Sequence, residues 1–518
     1  MNRETTAHSQ RNDLPLPFLL ALFGYFALHI ALRVAVSGSL DYDEAEQALL
    51  GQWLLAGYTE QPPLYTWVQY LLFGLFGKNV FAVSLLKNGL LLCTYISVFF
   101  AAREILHDHR RAILATLSLL FIPQIAWESQ RDMTHTTLVV FAAAATLWQV
   151  LRLIRKQSVT NYCIFGLLLG MGVLGKANFF LFLTVLLLTL LSFSEGRKVL
   201  ISQKILVSLL IAAAVTSIYA VWMINNQDIV FSATHKFKRA VENYWQKGVI
   251  SLFTNSFLFL TPLWLIWLLI FPQGFRPTGP NNSGFHRQFI GRYLLLLFFC
   301  LLVVVIVGKV TYVKDRWLQP LLFIAPIYFF ARLSPGAISQ SRFKLFLRIA
   351  AAVALVIYLA FAMRVVGASY INRFCRMNYP FAPIAEDMRR LGFAEGLIIS
   401  DDRFIAGNLH FQFPTSTALV PEYHFERLVD PASSPSIAVV WETANRGKIP
   451  SDLKEYLEKT FNLPVTDFPV HYLEHIYLFG RTETVTLAFT LLPLPGNKVE
   501  LSSLSAQMER KPLRNKQE

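Results

Sequence analysis

The sequence predicts an α-helical polytopic membrane protein with about eleven transmembrane helices, followed by a C-terminal α/β domain outside the membrane. Three observations predict it. Hydrophobic residues make up 54% of the 518 and charged residues 15%, against about 25% charged in soluble domains, and the mean hydropathy is +0.45. Many apolar runs approach the roughly 20 residues that cross a bilayer as helix, and none has the ten-residue alternation of an outer-membrane barrel. From Pro380 to about Pro495 the chain reads as ordinary globular sequence. A soluble enzyme, a secreted disulfide scaffold and a disordered chain are thereby excluded. The net charge of +14 is read as Lys and Arg retained in cytoplasmic loops, so no nucleic-acid partner is expected. Cys93, Cys163 and Cys300 lie in apolar runs and Cys375 stands alone, which gives neither a disulfide framework nor a metal spacing.

The first apolar run, Leu14 to Val36, has no small-residue cleavage site and exceeds a signal-peptide core, so it is expected to stay as a helix. Further spans are predicted near 80–101, 112–126, 135–151, 161–175, 178–193, 205–223, 252–271, 293–308, 318–332 and 349–366. The third, fifth and tenth are short, which allows tilt, local thinning or a re-entrant path. Cations gather in alternate loops: Arg103, Arg110 and Arg111; Arg152, Arg155 and Lys156; Arg197, Lys198 and Lys204; Arg276, Arg287 and Arg292; Arg332, Arg342, Lys344 and Arg348. These loops should be cytoplasmic. The opposite set includes Ser37 to Leu64, which lacks Lys and Arg but holds Asp41, Asp43, Glu44, Glu46 and Glu60. The same register puts Trp127–Thr134, Gly175–Asn178, Asn225–Ile250, Lys309–Trp317 and everything after about residue 367 on the outer side.

The expected domains are a transmembrane domain over 1–370, with its first outer loop at 37–78, a periplasmic α/β domain over 371–500, and a polar tail over 501–518. In the α/β part, Ala382–Leu391 and Ser451–Phe461 read as helices. Leu397–Ser400, Ser436–Trp441, Ile476–Gly480 and Val485–Leu492 read as strands, and Asp401-Asp402-Arg403 as a loop in preference to a ligand-binding turn. No repeat, Walker A loop or GxGxxG is present, which argues against a nucleotide-driven pump.

The first outer loop is the most informative segment. Carboxylates next to a membrane helix are costly in lipid, so Asp43 and Glu44 must face water, a partner or a cavity. Leu49, Leu50, Trp53 and Leu54 predict an amphipathic helix over 44–56 at the membrane surface. Pro62-Pro63 then breaks the chain before a second interfacial or re-entrant stretch, Leu64–Phe76. Spacing alone fits helix-capping carboxylates as well as catalytic ones. Asp41-Tyr42-Asp43 spells an Asp-x-Asp pair that could reach a divalent metal, but metals need several oxygens, and no metal or cofactor is firmly expected. Lys309, Lys314, Arg316 and Lys176 suit phosphate or helix-end snorkelling. Arg131, Asp132 and His135 fall within a helical turn's reach in the second loop. His235, Lys236, Lys238 and Arg239, with Tyr244 and Trp245, form a basic outer loop suited equally to anionic headgroups or a phosphorylated ligand and to a solvated amphipathic helix.

The acidic pair, the surface helix, the x-Pro-Pro-Leu turn and the aromatic segment after it resemble the membrane glycosyltransferases of the GT-C fold, in the protein-mannosyltransferase-like and aminoarabinose-transferase-like group. Gly166–Phe180, with Gly175-Lys176 after a glycine-rich helix, and Lys309–Pro320, reading KVTYVKDRWLQP, match as well. The resemblance covers roughly 14–370. It implies an inverting enzyme of a bacterial inner membrane that moves a sugar from a polyprenyl-phosphate donor to a periplasmic-side acceptor such as lipid A, lipopolysaccharide core or another envelope glycan. It implies Asp43 as base, with Glu44 orienting the base or the acceptor or purely structural, and Arg316, Lys314, Lys309 and Lys176 on the leaving phosphate. Arg131, Asp132 and His135 would meet the acceptor, and Gln61, Pro62 and Pro63 would shape the site. Gln61 departs from the Lys or His of many relatives, and His135 stands where many have an acid, with Asp132 a turn earlier. The chain looks nearer to the subgroup that moves uronic or similar sugars onto lipopolysaccharide. The alternatives are a flippase or transporter of lipid-linked glycan, which should show midplane charges and repeated halves, and a scaffold whose tail domain is the working part.

Overall fold

The computed structural model describes residues 15–231, 243–275, 285–334, 336–431, 434–443, 448–462 and 468–492. The basic run His235–Arg239, Arg276 and the tail over 501–518 lie outside them. The chain divides into two units, Met1–Cys375 and Arg376–Glu518.

The first unit is helical, and the protein is a multi-pass membrane protein. Among the described residues seven helices are long and apolar enough to cross a bilayer: Leu16–Val36, Val80–Leu106, His135–Arg155, Ile205–Asn225, Tyr244–Ile270, Phe285–Val307 and Gln340–Val366. Two bent pairs, His109–Phe121 with Gln124–Asp132 and Phe179–Leu191 with Ser194–Ile201, raise the number to nine if each is one span. The expected eleven is not reached on length and composition, and the reasons are local. Val159–Val173 has 15 residues, short of a full crossing. The tenth predicted span is two pieces, Asp315–Leu322 and Ala325–Ala331, each containing a proline, which removes a backbone donor from the helix. The third turns by 73° around Pro123, through a 3₁₀ turn and a π turn.

His135–Arg155 is the most enclosed of the seven, with 78% of its apolar window buried, whereas Ile205–Asn225 has 11% buried and leaves most of its surface for lipid. Gly166 and Gly170 let Val159–Val173 pack against that outer helix. A Cβ at Gly166 would meet the Ser208 carbonyl oxygen at 2.6 Å, and one at Gly170 would meet Val215 at 2.7 Å. The glycine-rich stretch is therefore a small-residue packing face.

In the first outer loop the helix runs Tyr42–Leu50 and ends at Gly51, six residues before Gly57, short of the expected 44–56. Glu44, Ala45, Gln47, Ala48, Leu49 and Leu50 are all buried, so it packs within protein and is not the half-wet surface helix expected from spacing. Leu64–Phe76 forms as expected, and its first amide donates to the Leu174 carbonyl at 3.1 Å, which ties the Pro62-Pro63 turn to the segment carrying Lys176.

The second unit holds a five-stranded sheet of β1 (Leu397–Ser400), β2 (Thr417–Leu419), β3 (Ile437–Glu442), β4 (His471–Ile476) and β5 (Thr484–Leu492), in the order β2-β1-β3-β5-β4. β2, β1 and β3 are parallel, and β5 and β4 antiparallel. Helices Phe381–Arg390, Arg403–Gln412 and Ser451–Phe461 accompany it. Asp402, expected in a loop, caps Arg403–Gln412 by accepting the Phe404 amide. The strand expected at 476–480 lies earlier because Tyr477–Gly480 is a turn closed by the Gly480 amide on the Tyr477 carbonyl.

Candidate active site

The clustered carboxylates Asp41, Asp43 and Glu44 of the first loop divide by what they touch. Asp41 and Glu44 form a capping box at the start of Tyr42–Leu50, each satisfying orphan amides of the first turn. Both also meet cations from the spans. The Glu44 carboxylate takes Arg33 Nη2 at 2.6 Å and Lys87 Nζ at 2.9 Å, with all three side chains at most 4% exposed. Arg33 also donates to the Ser37 and Ser39 carbonyls at 2.8 Å each. Burial pushes the Glu44 carboxyl up, but the charges of Arg33 and Lys87 outweigh it and hold the group well below the usual carboxylate range. Asp41 accepts Arg364 Nη2 on Oδ2 at 2.9 Å and the Tyr42 amide on Oδ1 at 2.9 Å. The helix is thus held by the ends of the first and last long spans and by Val80–Leu106.

Asp43 lies between these two and is half-buried. Its amide donates to Asp132 Oδ1 at 2.9 Å, which joins the first-loop acid to the second-loop acid. Three residues on, His135 opens the most enclosed helix. Its Nε2 lies 3.3 Å from Gln47 Nε2, Gln47 Oε1 accepts from Thr66 at 2.8 Å, and the Tyr65 ring is 5.6 Å from the His135 ring. Arg131 is exposed and pairs locally with Glu128 at 2.8 Å.

Lys176 enters from the turn after Val159–Val173, half-buried, with Nζ 2.8 Å from Thr136 Oγ1. It lies within electrostatic reach of Arg316, Asp43, Glu46 and Lys314. Burial, then repulsion by Arg316, lowers its ammonium to about 8. Lys314 and Arg316 are exposed at the start of Asp315–Leu322, and Gln124 Nε2 donates to Asp315 Oδ2 at 3.3 Å, anchoring that turn. Lys309 is exposed at a left-handed φ of 51°, and among the described residues no hydrogen bond or ion pair joins it to the cluster. Gln61 is half-buried, its amide on Thr59 Oγ1 at 3.2 Å. Pro62 and Pro63 are buried, and Pro63 precedes Leu64–Phe76.

The structure therefore gathers Asp43, Asp132, His135, Lys176, Lys314 and Arg316 from four separate segments, buries Glu44, and leaves Lys309 and Arg131 outside. As a metal pair Asp41-x-Asp43 fits poorly, because both Asp41 oxygens are engaged by Arg364 and the Tyr42 amide. Sequence reasoning assigned no role to Arg33, Lys87, Arg364 or Thr136. A signal existed for the first three, since a cation inside an apolar span needs a partner.

Residues 60–222 match the dolichyl-phosphate-mannose-protein mannosyltransferase family. Over 481 residues the chain is 31% identical to the lipopolysaccharide core galacturonosyltransferase RgtB of Rhizobium johnstonii, covering 91% of this chain and 96% of the relative. It is 31% identical over 415 residues to the lipopolysaccharide core galacturonosyltransferase RgtA of the same organism, covering 78% and 82%. The crystal structure of ArnT from Cupriavidus metallidurans bound to undecaprenyl phosphate superimposes with a TM-score of 0.58 at 14% identity, over 92% of this chain and 98% of that one, which establishes a common fold. With two relatives matched along most of their length and that fold, the chain belongs to the GT-C membrane glycosyltransferases, in the family that includes these two galacturonosyltransferases.

Proposed function

We propose that this glycosyltransferase moves galacturonic acid from a polyprenyl-phosphate donor to a lipopolysaccharide core acceptor at the outer face of a bacterial inner membrane, with its C-terminal domain in the periplasm. The observation that carries the reading is the division of the first-loop acids. Asp41 and Glu44 are consumed by capping and ion pairs, while Asp43 stays half-exposed beside Asp132, with Lys176, Lys314 and Arg316 gathered close by. The relatives' substrates supply the sugar and acceptor class.

In the reaction, an acceptor hydroxyl oxygen attacks the anomeric carbon as the bond from that carbon to the phosphate oxygen breaks. The electron pair leaves with the phosphate, and the hydroxyl proton passes to Asp43. A base must reach within about 3 Å of that hydroxyl. Lys314 and Arg316 compensate the growing charge on the phosphate, Arg316 with its planar fork. Glu44 acts through the backbone: by holding the first turn of Tyr42–Leu50 to Arg33 and Lys87 it fixes where Asp43 points. The test is release of undecaprenyl phosphate by the purified protein from undecaprenyl-phosphate galacturonate when lipopolysaccharide core is added. Release that requires the acceptor supports the reading, and none with any core acceptor overturns it.

A further inference from the structure

Three cations line the site, yet the phosphodiester of a polyprenyl-phosphate sugar carries one negative charge. Their surroundings differ. Lys314 and Arg316 are exposed at the N-terminal end of one short helix. Lys176 is half-buried on a different segment, it donates to the neutral Thr136 hydroxyl, and among the described residues no carboxylate lies within ion-pair distance of it. By contrast Arg33, Lys87 and Arg364 each hold a carboxylate at 2.6 to 2.9 Å. An ammonium has three donors, and a partly desolvated charge without a counter-ion is costly, so Lys176 is built to receive an anion.

Its position says which anion. In an inverting transfer the base and the departing phosphate lie on opposite faces of the sugar ring. Lys176 is hydrogen-bonded to Thr136, on the second-loop segment whose Asp132 takes the Asp43 amide, and not to the helix Asp315–Leu322 that carries Arg316, so it meets the substrate beside the base, where ring substituents project. A uronic acid carries there the second negative charge that a neutral hexose lacks.

Resting on the reading of the protein as a uronosyltransferase, we infer that Lys176, backed by Thr136, recognises the sugar: its ammonium binds the C5 carboxylate of the uronic acid, while Lys314 and Arg316 take the phosphate. The lowered basicity of the unliganded ammonium agrees with this, because a carboxylate partner would restore it.

The experiment uses the purified full-length protein and three probes: undecaprenyl-phosphate galacturonate, undecaprenyl-phosphate galactose and bare undecaprenyl phosphate. Wild type should transfer galacturonate in strong preference to galactose. Lys176→Gln should cut that preference about 10- to 100-fold, the worth of a charge-assisted bond, and Lys176→Arg should recover much of it. Arg316→Ala should weaken binding of all three probes together. If Lys176→Gln weakens bare undecaprenyl phosphate as much as the galacturonate donor, or leaves the preference intact, Lys176 does not recognise the sugar. Wild type transferring from neither donor would instead overturn the transferase reading on which the inference rests.

Discussion

Glu44→Gln separates structure from chemistry in the first loop. Gln keeps the side-chain length and a carbonyl oxygen that can still cap the Asp41 amide, now accepted by Glu44 Oε2 at 3.1 Å, so the perturbation is the loss of one buried charge. Arg33 and Lys87 are then left as two buried cations without the anion they share. Removing one partner of a buried ion pair costs about 3–5 kcal/mol. For a helical unit of this size that lowers the melting temperature by on the order of 5 °C. The pH dependence has a definite sign. The folded carboxyl is held below its ordinary value of 4.5, so its contribution is present above that pH and is lost progressively as pH falls below it. Wild type should therefore lose stability into acid more steeply than Glu44→Gln. The assay is thermal unfolding of the purified variants across pH, with Asp43→Asn as a control that should melt like wild type. Wild-type stability in Glu44→Gln combined with lost turnover would refute the reasoning and make Glu44 a chemical group.

Arg316→Ala should weaken binding of undecaprenyl phosphate by about 1.5–3 kcal/mol, and Arg316→Lys should recover part of it, as read by donor titration. Because the Lys176 ammonium is lowered to about 8, its charge is present below that pH and lost above it. Donor KM should therefore rise as pH increases through 8, and this inflection should vanish in Lys176→Arg. Chelation should leave sugar transfer unchanged, because the Asp41 oxygens are engaged by Arg364 and the Tyr42 amide. Activity lost on chelation and restored by a divalent cation would assign Asp43 to a metal instead.

The helical class and the acidic loop were legible because apolar run length and the absence of Lys and Arg over 37–64 are local properties of the chain. Spans broken by Pro123 and by Pro320 with Pro326 were less so, since a kink depends on which backbone groups find other partners. The two roles left open for Glu44 could not be separated from spacing. What spacing could not show are its ion pairs with Arg33, 11 residues away, and Lys87, 43 residues away, both hidden in apolar runs. Asp132 stands out in the second loop, but its contact with the Asp43 amide, 89 residues away, lies beyond any local pattern. Lys309 and Arg316 are both expected on the phosphate, with Arg316 favoured for its planar fork. The left-handed turn at Lys309 and the helix starting at Asp315 distinguish them further.

The central claim is that Asp43 accepts the proton of the incoming hydroxyl, and Asp43→Asn tests it most directly. Asn keeps the size of the side chain and leaves the backbone amide on Asp132, but it cannot take the proton. Single-turnover transfer from undecaprenyl-phosphate galacturonate to lipopolysaccharide core should fall about 10²- to 10⁴-fold, while donor affinity, measured on the same sample, stays at the wild-type value. Transfer within a few-fold of wild type by Asp43→Asn would contradict the account.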